Sequence, residues 1–346
     1  MAGPFEKITY YSVALDPVHV GTGGYRLGRV DLTIVREPAT RTPKVPGSSL
    51  AGAARAYTAM AIQSEHPDKK KYRNPVPQTA DGLSQEGRQP YTSCAGKGGD
   101  FGEGHCGRHD CEVCTAYGFS KNKSSFQGLA QFFDAQILFF PVATSRGPVW
   151  VTSPAILLSV GQSVSEIEDD KFRKIVDGTQ QNAAVPEKLN FGWLMLPLSS
   201  TKTASLDLTS ALTPFKIGVY GQMLKDRLYL VPDRLFPRIV NGNLEVRTSV
   251  AISPATGAAE DKALYTYEAI PRGTILFFDV VYNKPEFFQI NVDNRFENVA
   301  HGKSLGEGWF WIKENVEKGL KLMQFMGVGG MNTRGMGRLE VLNIGG

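Results

Sequence analysis

The sequence has little that would place it in a membrane or in an oxidising compartment. Its longest apolar runs, residues 137–143 and 274–282, are far shorter than the roughly 20 residues that a transmembrane helix needs. The first residues contain no apolar stretch of the kind that signal peptides have. We therefore expect a soluble, cytoplasmic protein with no membrane partner, in a compartment where thiols stay reduced.

Motifs of several familiar enzyme classes are also missing. The glycine spacing matches neither a Walker motif nor a dinucleotide fingerprint, no convincing Ser-His-Asp triad is present, and there is no internal repeat. The net charge of +4 is too small to identify a nucleic-acid-binding protein by itself. These absences direct attention to local clusters of glycine, arginine and cysteine.

Glycine is abundant, with 37 residues in a chain of 346, and one glycine-rich loop covers residues 19–31. Glycine lets the backbone approach a ligand closely, as loops that bind phosphate require. Asp31 is the only carboxylate in this loop. It is either a solvated residue at the end of a strand, or a group that positions a metal ion or assists proton transfer in phosphodiester cleavage.

A second glycine-rich loop, residues 327–338, follows a predicted helix and precedes a terminal strand. Arginine can bind a phosphate through two N–H groups, and glycine N–H groups add further donors. A tight connection would explain one or two glycines, but not five of them interleaved with arginine and asparagine. We expect this loop to contact nucleic acid, on the same face of a sheet as the first loop.

The cysteines indicate a metal site. All four lie in one apolar-poor stretch: Cys94, Cys106, Cys111 and Cys114. The last two have the two-residue spacing with which a pair of thiolates holds one tetrahedral ion. The pattern favours structural zinc over free thiols, with four thiolates or with three and an imidazole from His105 or His109. A redox pair is disfavoured because no thioredoxin-like pattern surrounds it.

The periodicity of apolar residues predicts an α+β protein with a ferredoxin-like (RRM-like) core. Strands are predicted at residues 8–15, 30–35, 132–142, 274–282 and 338–342, and helices at 163–176 and 311–324. A further helix is predicted to start with Ser48 or Ser49 as its N-cap. Because this helix follows Pro46 and Gly47 directly, its first N–H groups are predicted to suit a phosphate.

Five stretches resemble the RAMP superfamily of CRISPR proteins, in particular the backbone subunit (Cas-seven-like) of type III-B Cmr effector complexes. They are residues 19–37, 45–55, 132–142, 245–274 and the loop at 327–338. The segment at residues 111–118 looks more like the backbone subunit of the type III-A (Csm) complex. The resemblance therefore leaves the subtype open.

The resemblance implies one RAMP domain over residues 1–346, with an RRM-like palm and long insertions. It further implies a thumb-like β-hairpin within residues 237–272. The cysteine-rich residues 65–125 depart from the short, cysteine-free connection of type III-B backbone subunits, and their composition predicts a zinc-binding insertion. The implied partners are a crRNA guide, a complementary target RNA, neighbouring copies of the chain and other CRISPR effector subunits. The implied role is antiviral defence within this ribonucleoprotein.

The resemblance also implies a metal-dependent endoribonuclease in which Asp31 is the catalytic carboxylate and Mg or Mn the metal. The attacking group would be the neighbouring 2′-hydroxyl of the target RNA, which would explain why RNA is cut. The implied RNA-binding residues are His19, Gly21, Arg26, Ser48, Ser49, Arg55, Arg247, Asn332, Thr333, Arg334 and Arg338. Two alternatives stay open: a non-catalytic structural subunit, and a standalone zinc-dependent nucleic-acid-binding protein.

Overall fold

A computed structural model describes most of the chain. The described residues are 3–23, 30–65, 94–96, 105–106, 111–121, 124–177, 185–206, 224, 227–250, 252–257, 264–288 and 308–345. Their helices are α1 (Gly47–Glu65), α2 (Glu112–Tyr117), α3 (Pro154–Ser159), α4 (Phe236–Gly242) and α5 (Gly308–Met326). None of these helices is long and apolar enough to cross a membrane.

Fifteen strands are found among the described residues. The first eight are β1 (Phe5–Ala14), β2 (Lys44–Val45), β3 (Gly118–Lys121), β4 (Ser124–Gln127), β5 (Ala130–Phe132), β6 (Ala135–Thr144), β7 (Gly147–Thr152) and β8 (Phe172–Asp177). The others are β9 (Lys188–Phe191), β10 (Leu194–Leu206), β11 (Leu228–Leu230), β12 (Glu245–Ser249), β13 (Tyr265–Ala269), β14 (Ile275–Asn283) and β15 (Leu339–Val341).

Four strands form one end of the large sheet in the order β15-β1-β14-β6. Each neighbouring pair is antiparallel. Helix α1 lies in the chain between β1 and β6, and helix α5 between β14 and β15. This is the β-α-β-β-α-β arrangement of a ferredoxin-like fold, so the predicted α+β, RRM-like core is confirmed. The strands predicted at 8–15, 274–282 and 338–342 are β1, β14 and β15, and the helix predicted at 311–324 is α5.

Helices α1 and α5 pack closely against each other. A side chain at Gly319 of α5 would collide with Thr58 and with the Ala54 carbonyl of α1, so glycine permits this approach. The Tyr57 hydroxyl of α1 donates a hydrogen bond of 2.5 Å to the Gly327 carbonyl, where the C-terminal loop begins. The helix pair therefore fixes the start of that loop.

The sheet continues beyond β6 through β7, β11, β8, β10 and β9. A second apolar cluster contains Val13 of β1, Phe277 of β14 and Leu157 of α3, all buried. Two smaller sheets lie outside this layer: the hairpin β12–β13 and the pair β3–β4. The hairpin β12–β13 lies beside Asp31.

Two predictions of regular structure are wrong. Residues 163–171 are not helical, and Phe172–Asp177 is strand β8, which pairs in parallel with β10. Glu168 accepts hydrogen bonds from Ser199 and Ser200 of β10, and these contacts outweigh the local helical pattern. Residues 30–35 form only isolated bridges to two different partners instead of a strand.

Candidate nucleic-acid interface and metal centre

The two glycine-rich loops meet, as predicted. The Gly330 N–H donates to the His19 carbonyl at 2.8 Å, and the Gly337 N–H donates to the Pro17 carbonyl at 2.9 Å. Gly329 has a φ of +88°, and any side chain there would collide with the His19 carbonyl. Glycine is therefore required for this contact, and the surface around residues 329–335 stays largely exposed.

The hairpin β12–β13 is the third part of the same surface. Residues 30–34, which we call the carboxylate segment, run along β13: the Leu32 N–H donates to the Thr266 carbonyl at 3.0 Å, and the Glu268 N–H donates to the Leu32 carbonyl at 3.2 Å. A small apolar cluster joins the segment, the hairpin and the C-terminal loop, and it contains Leu32, Tyr265, Tyr267, Ala269, Met331 and Met336. Three distant parts of the chain thus form one surface.

Asp31 is exposed at the start of the carboxylate segment. Thr266 holds its Oδ2 atom with two hydrogen bonds, 2.7 Å from the backbone N–H and 2.9 Å from the hydroxyl. The Asp31 N–H in turn donates to the Thr266 hydroxyl at 3.1 Å. The bond from the Thr266 N–H, and then that from its hydroxyl, hold the pKa of Asp31 below its usual value. At neutral pH the side chain is a carboxylate.

A buried ion pair between Arg36 and Glu268 holds the carboxylate segment in place. Arg36 lies 2.6 Å from Glu268 of β13, and the same carboxylate accepts the Ile34 N–H at 2.9 Å. Arg36 also donates to Asn241 of α4 at 2.8 Å. Since both charges are largely buried and bonded to each other, removal of either one would leave the other unpaired.

His19 has a structural position in this surface. It is 95% buried, with 5% of its area exposed, and Nδ1 lies 2.7 Å from the Glu268 carbonyl. Because a carbonyl only accepts, Nδ1 is the donor of this bond. Its ring also packs edge-on against Tyr267. These contacts connect the first loop to the hairpin, and the predicted RNA contact of His19 stays a prediction.

The four cysteines form one buried cluster. Their Sγ atoms all lie within 4.8 Å of one another, with 3.6 Å between Cys106 and Cys114 and 3.8 Å between Cys111 and Cys94. Tetrahedral zinc with Zn–S bonds of about 2.3 Å separates its sulfur ligands by about 3.8 Å. The distances are far too long for disulfides, and hydrogen bonds from the other thiols, Cys106 first, lower the pKa of Cys94. The cluster could therefore hold zinc.

His105 is not part of the cluster. One ring nitrogen, Nε2, lies 2.8 Å from the Gly96 carbonyl, and the other, Nδ1, accepts the Ser120 N–H at 3.0 Å. Both nitrogens are thus occupied, and four thiols already supply a complete tetrahedral set. His109, the other histidine considered as a ligand, lies outside the described residues.

Comparison with known proteins settles the family. The model of the RAMP superfamily matches residues 13–340. The chain belongs to the RAMP superfamily. It is 24% identical, over 78% of its length and 79% of the relative's, to the CRISPR system Cmr endoribonuclease Cmr4 of Pyrococcus furiosus.

Solved structures of Cmr proteins share the fold of this chain. A chain of the type III-B Cmr-beta complex bound to cognate target RNA has a TM-score of 0.58 at 14% identity, with 98% of each chain covered. Oligomeric Cmr4 from Pyrococcus furiosus has a TM-score of 0.52 at 17% identity, again with 98% of each chain covered. The predicted RAMP palm of this chain is confirmed by these matches.

Three arginines of this RAMP protein gather around Asp16. Arg338 makes a two-bonded ion pair with the Asp16 carboxylate. This bond, followed by the charges of Arg338, Arg272 and Arg247, lowers the pKa of Asp16. Arg272 is exposed and was not among the predicted RNA-binding residues. It lies in a stretch similar to the family, Pro271-Arg272-Gly273-Thr274, but nothing in the sequence pairs it with Asp16.

The predicted residues of the C-terminal loop are exposed, and hydrogen bonds tether Asn332, Arg334 and Arg338. Arg334 donates to the Tyr265 hydroxyl and, at 3.3 Å, to the Ser249 hydroxyl of the hairpin. Asn332 donates to the Met326 carbonyl at 3.0 Å, and Thr333 is exposed beside it. The loop therefore presents its side chains from a fixed backbone. In the first loop Gly21 is exposed, while Arg26 lies outside the described residues.

The predicted phosphate site at the start of helix α1 is already occupied. The helix begins at Gly47, so Ser48 and Ser49 lie in its first turn and are not its N-cap. The Gly47 N–H donates to the Asp134 carboxylate at 2.8 Å, and Lys44 pairs with the same carboxylate at 2.6 Å. An acidic side chain in this place fills the position that a phosphate would take. Ser48 is exposed, and its predicted RNA contact stays a prediction.

Arg55 points to the cysteine cluster. Its Nε donates to the Cys94 carbonyl at 2.8 Å and its Nη1 to the Tyr117 carbonyl at 3.3 Å. The third nitrogen, Nη2, is buried without a hydrogen-bond partner among the described residues. Contact with an RNA backbone needs exposed N–H groups, so these contacts do not support the predicted role of Arg55 in RNA binding.

Proposed function

We propose that this chain is the backbone subunit of a cytoplasmic type III-B CRISPR effector complex, which holds a crRNA guide and cuts the paired target RNA. Membership of the RAMP superfamily supports the first part, and the relative named Cmr endoribonuclease Cmr4 supports the second. Its partners would then be the guide, the complementary target RNA, neighbouring copies of itself and other effector subunits.

One observation carries the catalytic part of the proposal. Asp31 is an exposed carboxylate on a surface built from both glycine-rich loops and the hairpin, and Arg334 of the C-terminal loop bonds to the same hairpin. Guide and target backbones would lie along exposed N–H groups and guanidinium groups, which position RNA without reading its sequence. Sequence recognition is then left to base pairing. The hairpin, within residues 237–272, would act as the thumb that enters the duplex.

The proposed reaction is a transesterification within the target RNA. The 2′-hydroxyl attacks the adjacent phosphorus, the bond to the 5′-oxygen breaks, and the products end in a 2′,3′-cyclic phosphate and a 5′-hydroxyl. Asp31 accepts the proton of the attacking hydroxyl or orients it in line. Mg or Mn, held by Asp31 together with RNA oxygens, would stabilise the charge on the phosphate. A single carboxylate suits such a metal, because Mg²⁺ usually keeps substrate phosphates as ligands.

Zinc would have a separate, structural role in this proposal. The insertion at residues 65–125 would fold around the four cysteines, which leave no open position for a substrate or water.

Substitution of Asp31 tests the proposal in a complex reconstituted with guide and partner subunits. We expect Asp31→Asn to slow target cleavage by roughly 10²–10⁴-fold and to leave guide retention unchanged. Asp169→Asn, which removes an exposed carboxylate from the loop before β8, is the matched control and should cut normally. Undiminished cleavage by Asp31→Asn would mean that the subunit is a non-catalytic scaffold.

A further inference from the structure

Thr266 and Asp31 form a closed pair of hydrogen-bonded groups. The Thr266 hydroxyl accepts the Asp31 N–H and donates to Oδ2 of the same residue, while the Thr266 N–H donates to Oδ2 as well. Among the described residues, no group donates to the other carboxylate oxygen, Oδ1. The pair therefore fixes both the backbone and the side chain of Asp31, and it leaves one oxygen free to act.

The pair also determines which part of the molecule Asp31 is attached to. Thr266 lies in β13, directly opposite Thr248 of β12. The carboxylate segment lies along the outer edge of β13, through the backbone bonds of Leu32 to Thr266 and Glu268. The carboxylate is therefore held by the hairpin and by no residue of the central sheet that the structure describes.

We propose that Thr266 is a positioning residue that locks the free oxygen of Asp31 at a set place relative to the hairpin. This inference rests on the proposed function. If the hairpin marks a place on the guide–target duplex, a carboxylate fixed to it must act at the phosphodiester beside that place. Thr266 then determines which bond is cut as well as how fast it is cut. In-line attack is sensitive to such placement, since a shift of about 1 Å can cost a hundredfold in rate.

The chain offers a matched set of variants for this test. Thr266→Val keeps the shape of the side chain and the backbone N–H but removes the hydroxyl, and Thr266→Ser restores a hydroxyl. Thr201→Val makes the same change at an exposed residue of strand β10, outside the proposed RNA-binding surface. Thr266→Ala removes the same hydroxyl and gives a second measurement if the valine variant does not assemble.

The experiment is target cleavage by guide-loaded complexes, with rates and product ends mapped at nucleotide resolution. We expect Thr266→Val to cut roughly 10- to 100-fold more slowly and to spread its products over neighbouring phosphodiesters. Thr266→Ser should restore both the rate and the single cut, and Thr201→Val should resemble the unchanged protein. A change in stability alone would not move the position of the cut.

Three results would overturn the inference: a normal rate and cut position in Thr266→Val, slow cleavage that Thr266→Ser does not rescue, or an equal defect in Thr201→Val. Asp31→Asn in the same assay separates this failure from that of the proposed function. If Asp31→Asn still cuts, the catalytic assignment fails whatever Thr266 does. If it does not cut while Thr266→Val cuts normally, only the positioning role is lost.

Discussion

The cysteine cluster and the Asp31 surface are built in opposite ways. The four thiols come from residues 94–114 and are all buried, whereas the Asp31 surface joins three distant segments and stays exposed. A buried polar cluster must find its partner inside the fold, and a single ion can satisfy four thiolates. An exposed surface that carries a carboxylate and arginines is instead suited to a large, charged partner that arrives from solution. In our proposal the cysteine cluster therefore serves folding and the Asp31 surface serves binding.

Loss of the metal gives the largest expected effect and tests this separation. Cys114→Ser should abolish the binding of one zinc equivalent and lower the melting midpoint by several degrees, because metal binding to such a site contributes directly to folding. Each 1 kcal/mol corresponds to about 2–4 °C in a domain of 150–250 residues. Zinc content by elemental analysis and the thermal midpoint measure the effect.

Val113→Ala is the control for Cys114→Ser, because Val113 is fully buried in the same short helix but is not a ligand. It should lose some stability and keep its zinc. Guide binding by folded Cys114→Ser should persist, since the proposed RNA contacts lie elsewhere. Loss of RNA binding with little change in the melting midpoint would favour a standalone zinc-dependent reader of nucleic acid.

Substitution of Arg55 is expected to have the next largest effect, a loss of zinc affinity. It also tests a disagreement, because the contacts of Arg55 do not match its predicted role in RNA binding. Four thiolates around Zn²⁺ carry a net charge of about −2, and Arg55 bonds to the Cys94 carbonyl beside them. We expect Arg55→Met to weaken zinc binding roughly 10- to 100-fold, the usual cost of losing a group that supports a metal site. Arg55→Lys keeps the charge but loses the planar pair of hydrogen bonds, so its zinc affinity should lie between those of the unchanged protein and Arg55→Met. Competition with a chelator measures the affinity.

The opposite outcome for Arg55 is equally measurable. If zinc affinity stays the same while guide binding becomes less sensitive to salt, Arg55 contacts the RNA backbone as the family resemblance implies. The two roles cannot be confused, because only a phosphate contact changes the salt dependence of guide binding.

The parts of the structure that could be predicted from sequence are those that depend on local pattern. A run rich in β-branched and aromatic residues identified β1, a continuous apolar run identified β14, and the spacing of Cys111 and Cys114 indicated the cluster. Glycine-rich loops that resemble the RAMP family indicated where the chain would meet a ligand. In each case a run of neighbouring residues carries the information.

The parts that sequence reasoning missed depend on single contacts across long separations. Thr266 holds Asp31 over 235 positions, and Asp134 reaches Gly47 over 87. Nothing in the neighbourhood of either residue marks it as a partner. The helix predicted at 163–176 is wrong for the same reason, since strand β10 pairs with those residues from a distance and overrides their helical pattern.

Arg334 and Arg338 provide the smallest and sharpest test of the exposed surface. Arg334 bonds to two uncharged hydroxyls, so its positive charge stays available to a phosphate. Arg338 pairs with the Asp16 carboxylate, which offsets its charge. We expect Arg334→Gln to reduce the slope of log K against log salt for guide binding by about 0.7, the value for one contact with a single strand. Arg338→Gln should reduce it by less.

A titration of guide RNA at several salt concentrations compares Arg334→Gln with Arg338→Gln directly. An equal or larger reduction for Arg338→Gln would mean that the guide displaces the Asp16 ion pair when it binds. The exposed surface would then rearrange when RNA binds. It could no longer be described as a preformed binding surface that differs from the cysteine cluster only in being exposed. Equal slopes in both variants and the unchanged protein would place the guide backbone away from the C-terminal loop.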